Sequence, residues 1–354
     1  MPPTLHPYPK ALKWCRDAVG KSFVLLGNGF SMAYDRHAFG YAALADHAAD
    51  QEHLSDGAQD LMTALRTKDF EAAMRALRST IATLEALDAK AHRKTIRALD
   101  RIVDEIREAL VHSVAGLHPE RPQDIDDRRY LSVRRFLDGF DCIYSANYDL
   151  LLYWALMQDL TDGSTRYPSR AHDDGFRDSG IDGDDTVLWN IYNPYGQSVH
   201  YLHGALHLYL GVDGLRKLTW NTTGIALIDQ VREQLDIDRY PLYVAEADSA
   251  TKLDRINRSA YLSKSLRSLS SIGGSLVVYG HSLDSNDNHI LEAIVRSNVK
   301  RAVFSIYGDA GSRDNRRIIS AAKDLQADRA SRTPKRPLEI RFFDAASVQL
   351  WEPV

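Results

Sequence analysis

Apolar residues follow two rhythms along this chain. At residues 22–26, "SFVLL", the run is short and unbroken, as suits a strand buried on both faces of a sheet, and it passes at once into Gly27, Asn28, Gly29 and Ser31. From about 59 to 115 the rhythm is helical. Ala, Leu, Arg and Glu dominate there, apolar positions recur at three and four spacing, and no glycine or proline interrupts the stretch from Ala73 until Gly116. Two or three long helices are expected in this segment.

The strand rhythm resumes at 141–146, followed directly by a helical pattern over 150–158. Short strands are expected in 187–193, 198–204, 205–210 and 242–247, then a helix over roughly 249–271. The remainder alternates: strands at 275–280, 301–308 and 338–344, with helices over 286–298 and 313–325. A short amphipathic helix is expected over 4–20, and the Asp-, Gly- and Ser-rich stretch 159–186 reads as a functional loop or lid. The sum is an α/β fold, a Rossmann-like doubly wound, mostly parallel sheet with a helical insertion subdomain. Residues 1–45 and 136–354 would form the sheet domain and 46–135 the insertion.

Composition narrows the functional classes. With 354 residues, 44% of them hydrophobic and 26% charged, the chain can bury a large core. A formal net charge of -4 gives no global attraction for nucleic acid or anionic lipid, and Arg313, Arg316 and Arg317 read as a solvated helix face. Two cysteines, Cys15 and Cys142, cannot make a disulfide framework or an all-cysteine zinc site. Neither a signal peptide nor an 18-residue apolar run is evident, so a cytoplasmic protein without membrane contact is expected.

In an open parallel sheet, ligands bind beyond the carboxyl ends of the strands. The residues following the apolar runs here are "GNGFS", "SANYD", "HGALH" and "GHSLDSND". Each motif has a plainer reading. Gly-Asn-Gly also suits a turn, Asn147 and Asp149 also suit helix caps, and His203 also suits a hydrogen-bonded core position. His200, His203 and His207 could be a metal set, but Gly204 breaks their period and softer ligands are missing.

Together, and in this order, the motifs resemble the Sir2 (sirtuin) superfamily, more closely its bacterial SIR2-like branch, and DUF4917, a bacterial family without assigned function. Gly27-Asn28-Gly29-Phe30-Ser31 is similar to the sirtuin Gly-Ala-Gly-x-Ser, and Ser145-Ala146-Asn147-Tyr148-Asp149 to Thr-Gln-Asn-x-Asp. His203-Gly204 matches the His-Gly pair and Gly280-His281-Ser282 the Gly-x-Ser. The stretch 275–290 also resembles DUF4917.

The SIR2-like resemblance implies a fold that binds NAD as substrate and breaks its nicotinamide–ribose bond, an NAD hydrolase of the antiviral-defence kind. It implies catalytic roles for Asn147, His203 and Asp149. Nucleotide contacts would come from Gly27, Asn28, Gly29, Phe30, Ser31, Gly280, Ser282 and, beyond the last motif, Asp287. No metal is expected. The missing cysteines argue against the zinc module of sirtuin deacylases, leaving an NAD or ADP-ribose sensor as the main alternative and deacylation or ADP-ribosyl transfer behind it. A homo-oligomer or an activating protein partner could supply the control that a hydrolase of NAD requires.

Overall fold

The computed structural model describes the chain except residues 1–2, 18–19, 170, 179–184, 194–195, 220–223, 247 and 354. Seven strands form its central sheet: β1 (Leu5–His6), β2 (Ser22–Leu26), β3 (Cys142–Ser145), β4 (Val199–Tyr201), β5 (Gly273–Tyr279), β6 (Asn298–Ile306) and β7 (Glu339–Asp344). Their spatial order is β1-β7-β6-β5-β2-β3-β4, and every pairing is parallel. From β2 the chain steps outward through β3 to β4, then returns to the other side of β2 to lay down β5, β6 and β7. The order therefore reverses between β2 and β5, which is the switch point where doubly wound sheets open a crevice.

The sheet is apolar on both faces because its residues alternate between two cores. Val24, Leu26, Ile143, Val277 and Val303 face one side, and Phe23, Leu25, Tyr144, Leu276 and Phe304 the other. Helices Asn288–Arg296 and Arg313–Arg332 cover the second face through residues such as Ile290, Ile294, Ile319 and Leu325. Over the first face lie helix Leu151–Met157 and the segment between β2 and β3.

That segment is helical, as expected. It contains Asp56–Ala64, Phe70–Asp88 and Arg93–Leu117, and no strand occurs among residues 46–135. Its apolar residues, Phe70, Met74, Leu110 and Val114 among them, belong to the same core as the first sheet face. The divisions placed at 45/46 and 135/136 fall within helices Tyr41–Asp50 and Asp127–Leu137.

Four local expectations are corrected. Residues 4–20 begin as β1 and turn helical only at Tyr8–Arg16, with Pro7 in extended backbone between them. Part of the 159–186 stretch is ordered as a hairpin, Leu160–Asp162 with Thr165–Tyr167, and Phe176–Asp178 joins a second sheet; residues 170 and 179–184 lie outside the described residues. That antiparallel sheet runs in the order Phe176–Asp178, Thr186–Trp189, Gly214–Leu218 and Leu208–Gly211. Residues 242–246 make no strand beyond a single antiparallel bridge from Tyr243 to Gly204; Leu242 O accepts from Ala205 N and Val244 N donates to His203 O, tying this segment to the loop after β4, and residue 247 lies outside the described residues. The helix expected over 249–271 is two helices, Ser249–Arg258 and Ala260–Ser271. Ser259 separates them, extended at φ -107°, ψ 121° and capping the second with its hydroxyl.

Candidate functional site

Register brings the strand ends level. Leu26 pairs with Tyr279 on one side and Ser145 on the other, and Ser145 pairs with Tyr201. The chain therefore leaves β2, β3, β4 and β5 along one edge, and Gly27, Asn147, His203 and Gly280 all line a single cavity of about 820 Å³. Eight carboxylates and two guanidinium groups, Arg36 and Arg317, also line it. Arg317 is exposed, as expected of a solvated helix face, and from the cavity rim pairs with Asp284 at 2.6 Å.

The glycines are explained first by the protein itself. Gly29 N donates to Gly280 O at 2.9 Å, and Gly27 N donates to Tyr279 O at 2.9 Å. A Cβ on Gly27 would stand 2.6 Å from Gly280 O, one on Gly29 2.4 Å from Gly280 Cα, and one on Gly280 2.5 Å from Gly29 Cα. Gly280 also has φ +68°, a conformation costly for a side chain. Two loops thus cross backbone to backbone at the switch point, and only glycine permits that approach.

The residues around them divide. Asn28 and Ser282 line the cavity; the Asn28 amide donates to Phe39 O at 3.0 Å. Phe30 does not line it. Its ring is fully buried edge-on against Trp351, whose indole N–H donates to Phe30 O at 3.0 Å, so it serves the core. Ser31 is also fully buried behind the cavity wall.

Ser31 nevertheless orders the next motif. Its hydroxyl donates to Asp149 Oδ2, which leaves its oxygen to accept from Asn147 Nδ2 at 3.0 Å. Asp149 Oδ1 accepts from Leu151 N at 2.9 Å, the capping role open to it from sequence. Burial pushes the Asp149 carboxyl above the usual range, and the Ser31 hydroxyl works against that shift. The consequence falls on Asn147: one Nδ2 hydrogen on Ser31 fixes the amide, whose Oδ1 is the side-chain acceptor for a ligand. Asp149 acts through Asn147 as a positioning residue.

Another part of the lining, Glu71, His203, His281, Asn286 and Asp287, belongs to a buried polar cluster. Lys252, with no exposed surface, holds Asp287 Oδ1 at 2.8 Å and Glu71 Oε2 at 3.0 Å. Glu71 comes from the insertion helix Phe70–Asp88, so the insertion contributes directly to the cavity wall. Asn286 Nδ2 donates to Glu71 Oε2. His203 Nε2 lies 2.9 Å from His289 Nε2 and 3.7 Å from Asp287 Oδ1; His281 Nε2 lies 3.5 Å from Asp287 Oδ2. Ser249 Oγ is 3.1 Å from His289 Nδ1.

Burial dominates the titration here. It drives His203 and His281 well below and below the ordinary histidine value respectively, and His289 to about 4, so the three rings are neutral at pH 7. Burial pushes Glu71 up to about 7 against the pull of Lys252. For Asp287 burial is outweighed by Lys252 and the rings of His203 and His281, which hold its carboxyl below the usual range.

Sequence reading missed Glu71, Ser249, Lys252 and His289. No motif marks them, because tertiary packing brings helix Ser249–Arg258 and Glu71 of helix Phe70–Asp88 together there, with Glu71 in the lining and Ser249, Lys252 and His289 behind it; His289 alone carried a signal, lying two residues beyond Asp287. The three-histidine set is dissolved by the fold. His200 stacks on Tyr144 with its Nδ1 3.1 Å from Ser265 Oγ, and His207 stacks on Tyr153, so neither shares a site with His203. The ligand atoms of His203, Asp287 and His289 instead lie within 4.8 Å of one another. Among the described residues no helix is long and apolar enough to cross a membrane.

Residues 24–351 match the family model described as "Domain of unknown function (DUF4917)", and the chain belongs to that family. No curated protein matches it.

Proposed function

We propose that this DUF4917 protein hydrolyses NAD at the nicotinamide–ribose bond, releasing nicotinamide and ADP-ribose. The observation that carries the reading is the assembly of the four SIR2-like motifs, in their order, around one cavity at the switch point between β2 and β5. Its volume suits a dinucleotide.

The chemistry fits the lining. Breaking this bond develops positive charge on the ribose, as in glycoside hydrolysis, and nicotinamide leaves neutral without a strong acid. Asn147 Oδ1, held in place by Ser31 and Asp149, would accept from a ribose hydroxyl or the attacking water. His203, neutral because it is buried, would activate that water. Carboxylates at Asp149, Glu71 and Asp287 favour the developing cation. Arg36, stacked 4.4 Å from the Tyr307 ring just beyond β6, and Arg317 on the helix after it, would take the diphosphate. The glycine loops would bring backbone rather than side chains to the nucleotide. Activity of this kind suits a regulated, cytoplasmic antiviral effector.

The test is incubation of the purified chain with NAD and chromatography of the products. Equimolar nicotinamide and ADP-ribose are expected. Tight NAD binding with no product identifies a nucleotide sensor instead, and transfer to an acetylated or nucleophilic acceptor identifies the deacylase or transferase chemistry.

A further inference from the structure

We propose that His203, His289 and Asp287 form a binding site for a divalent transition-metal cation in the wall of the cavity. Two imidazoles and one carboxylate are a donor set that transition metals favour, and the three ligand atoms, from residues all buried, lie within 4.8 Å of one another. This departs from the expectation that no metal takes part, and it rests on the cavity wall, independently of the NAD reading.

Three further observations point the same way. The two imidazoles face each other through the same atom, Nε2 to Nε2 at 2.9 Å, with the carboxylate beside them at 3.7 Å. In the metal-bound form both lone pairs turn to one cation. The neighbours have the arrangement that supports metal ligands: His289 Nδ1 is 3.1 Å from Ser249 Oγ, so Nδ1–H can donate there and leave Nε2 bare.

Second, His281 is a buried, unpartnered donor aimed at the same carboxylate. Its Nδ1 accepts from Leu283 N at 3.0 Å, so in the neutral ring Nε2 carries the proton. That Nε2 has no hydrogen-bond partner and lies 3.5 Å from Asp287 Oδ2. His281 thereby presents only an N–H toward Asp287, its lone pair being taken by Leu283 N, and does not compete for the cation.

Third, two buried acidic side chains share a single ammonium: Lys252 Nζ lies 3.0 Å from Glu71 Oε2 and 2.8 Å from Asp287 Oδ1, and Asp287 Oδ1 also lies 3.7 Å from His203 Nε2. A cation held there would take His203 Nε2 as a ligand and would supply Lewis acidity in place of the base role of that ring.

The experiment uses the full chain, stripped with a chelator, dialysed, and offered Zn²⁺ or Mn²⁺ separately. Bound metal is measured by elemental analysis and stability by thermal melting. The wild type is expected to retain about one equivalent of at least one metal and to melt at a higher temperature with it. The double variant His203→Ala/His289→Ala is expected to lose both the uptake and the shift. Ser249→Ala, which leaves all three ligands in place, should bind about 10- to 100-fold more weakly while melting near the stripped wild type. Retention of neither metal by the wild type, with no shift in melting, overturns the proposal. So does uptake by the double variant equal to the wild type, or binding by Ser249→Ala at wild-type strength. None of these readouts uses NAD, so failure of the metal site and failure of the hydrolase reading are seen separately.

Discussion

Two walls of one cavity are built in opposite ways. At the crossing of Gly27, Gly29 and Gly280 there are no side chains, and the geometry comes from loops that touch through backbone atoms. Elsewhere in the lining, Glu71, His203 and Asp287, backed by Lys252 and His289, are drawn from four segments and hold each other by buried charge and ring contacts. The glycine wall has one shape, set sterically. The charged wall depends on protonation and on every partner being present, so it is the wall able to respond to pH, to a cation and to the docking of the insertion through Glu71.

The largest expected effect is on the charged wall. His203→Ala should lower NAD cleavage by about 10²- to 10⁴-fold in a nicotinamide-release assay. Losing its contact with His289 should also cost about 1 to 3 kcal/mol of stability, but activity should fall far beyond the folded fraction. Next, Lys252→Met strands two buried carboxylates and should cost about 3 to 5 kcal/mol in urea unfolding. Adding Glu71→Gln and Asp287→Asn should recover much of that loss; a Lys252→Met protein of wild-type stability would show the network to be inert.

On the glycine wall, Gly280→Ala should cost about 1 to 3 kcal/mol through overpacking against Gly29. Unlike Lys252→Met, it should lose the same amount at every pH between 5 and 8, which unfolding curves across that range would check.

The smallest effect sharpens the contrast through pH. Folding raises the Glu71 carboxyl from 4.5 to about 7, so between these values the native state binds more protons than the unfolded chain. Its contribution is favourable at low pH and is lost as pH rises through 7. Glu71→Gln, which cannot titrate, should therefore gain stability relative to the wild type as pH rises from about 5 to 7. The buried neutral histidines have the opposite sign. His118, buried at the end of helix Arg93–Leu117 where its Nε2 accepts from Leu150 N at 3.1 Å, is lowered by burial to about 4; it stabilises the fold above its ordinary 6.5, and that stability is lost as pH falls toward 4. His118→Gln should flatten the acid limb of the stability curve.

How much of this could be read from the chain follows the same division. The parallel strands announced themselves as unbroken apolar runs because both sheet faces are covered, and the strand-end motifs were legible because they are contiguous: "GNGFS" and "SANYD" each carry their context with them. The roles of Phe30 and Ser31 were not legible. Both follow Gly29 by only one or two residues, yet the turn of helix Gly29–Tyr34 directs them into the core, toward Trp351 and Asp149. Lys252 and Glu71 gave no signal, since a lysine and a glutamate 181 residues apart on amphipathic helices look like solvated charges until the fold closes over them. The segment 242–246 has strand composition, but its backbone bonds go to the loop after β4 and to Leu208 of the second sheet, a tertiary choice that local propensity does not contain.

The most direct measurement is nicotinamide release by wild type and Asn147→Ala in parallel, with ADP-ribose binding measured by calorimetry on the same samples. Asn147 tests the central claim cleanly, because the metal proposal does not use it and among the described residues its side chain hydrogen-bonds only Ser31. The account predicts stoichiometric release of nicotinamide and ADP-ribose by the wild type. Asn147→Ala should release at least about 10²-fold less, as expected when a group aimed at the reacting centre is removed, while still binding ADP-ribose. A wild type that binds NAD without releasing nicotinamide, or an Asn147→Ala protein that releases it at the wild-type rate, would contradict it.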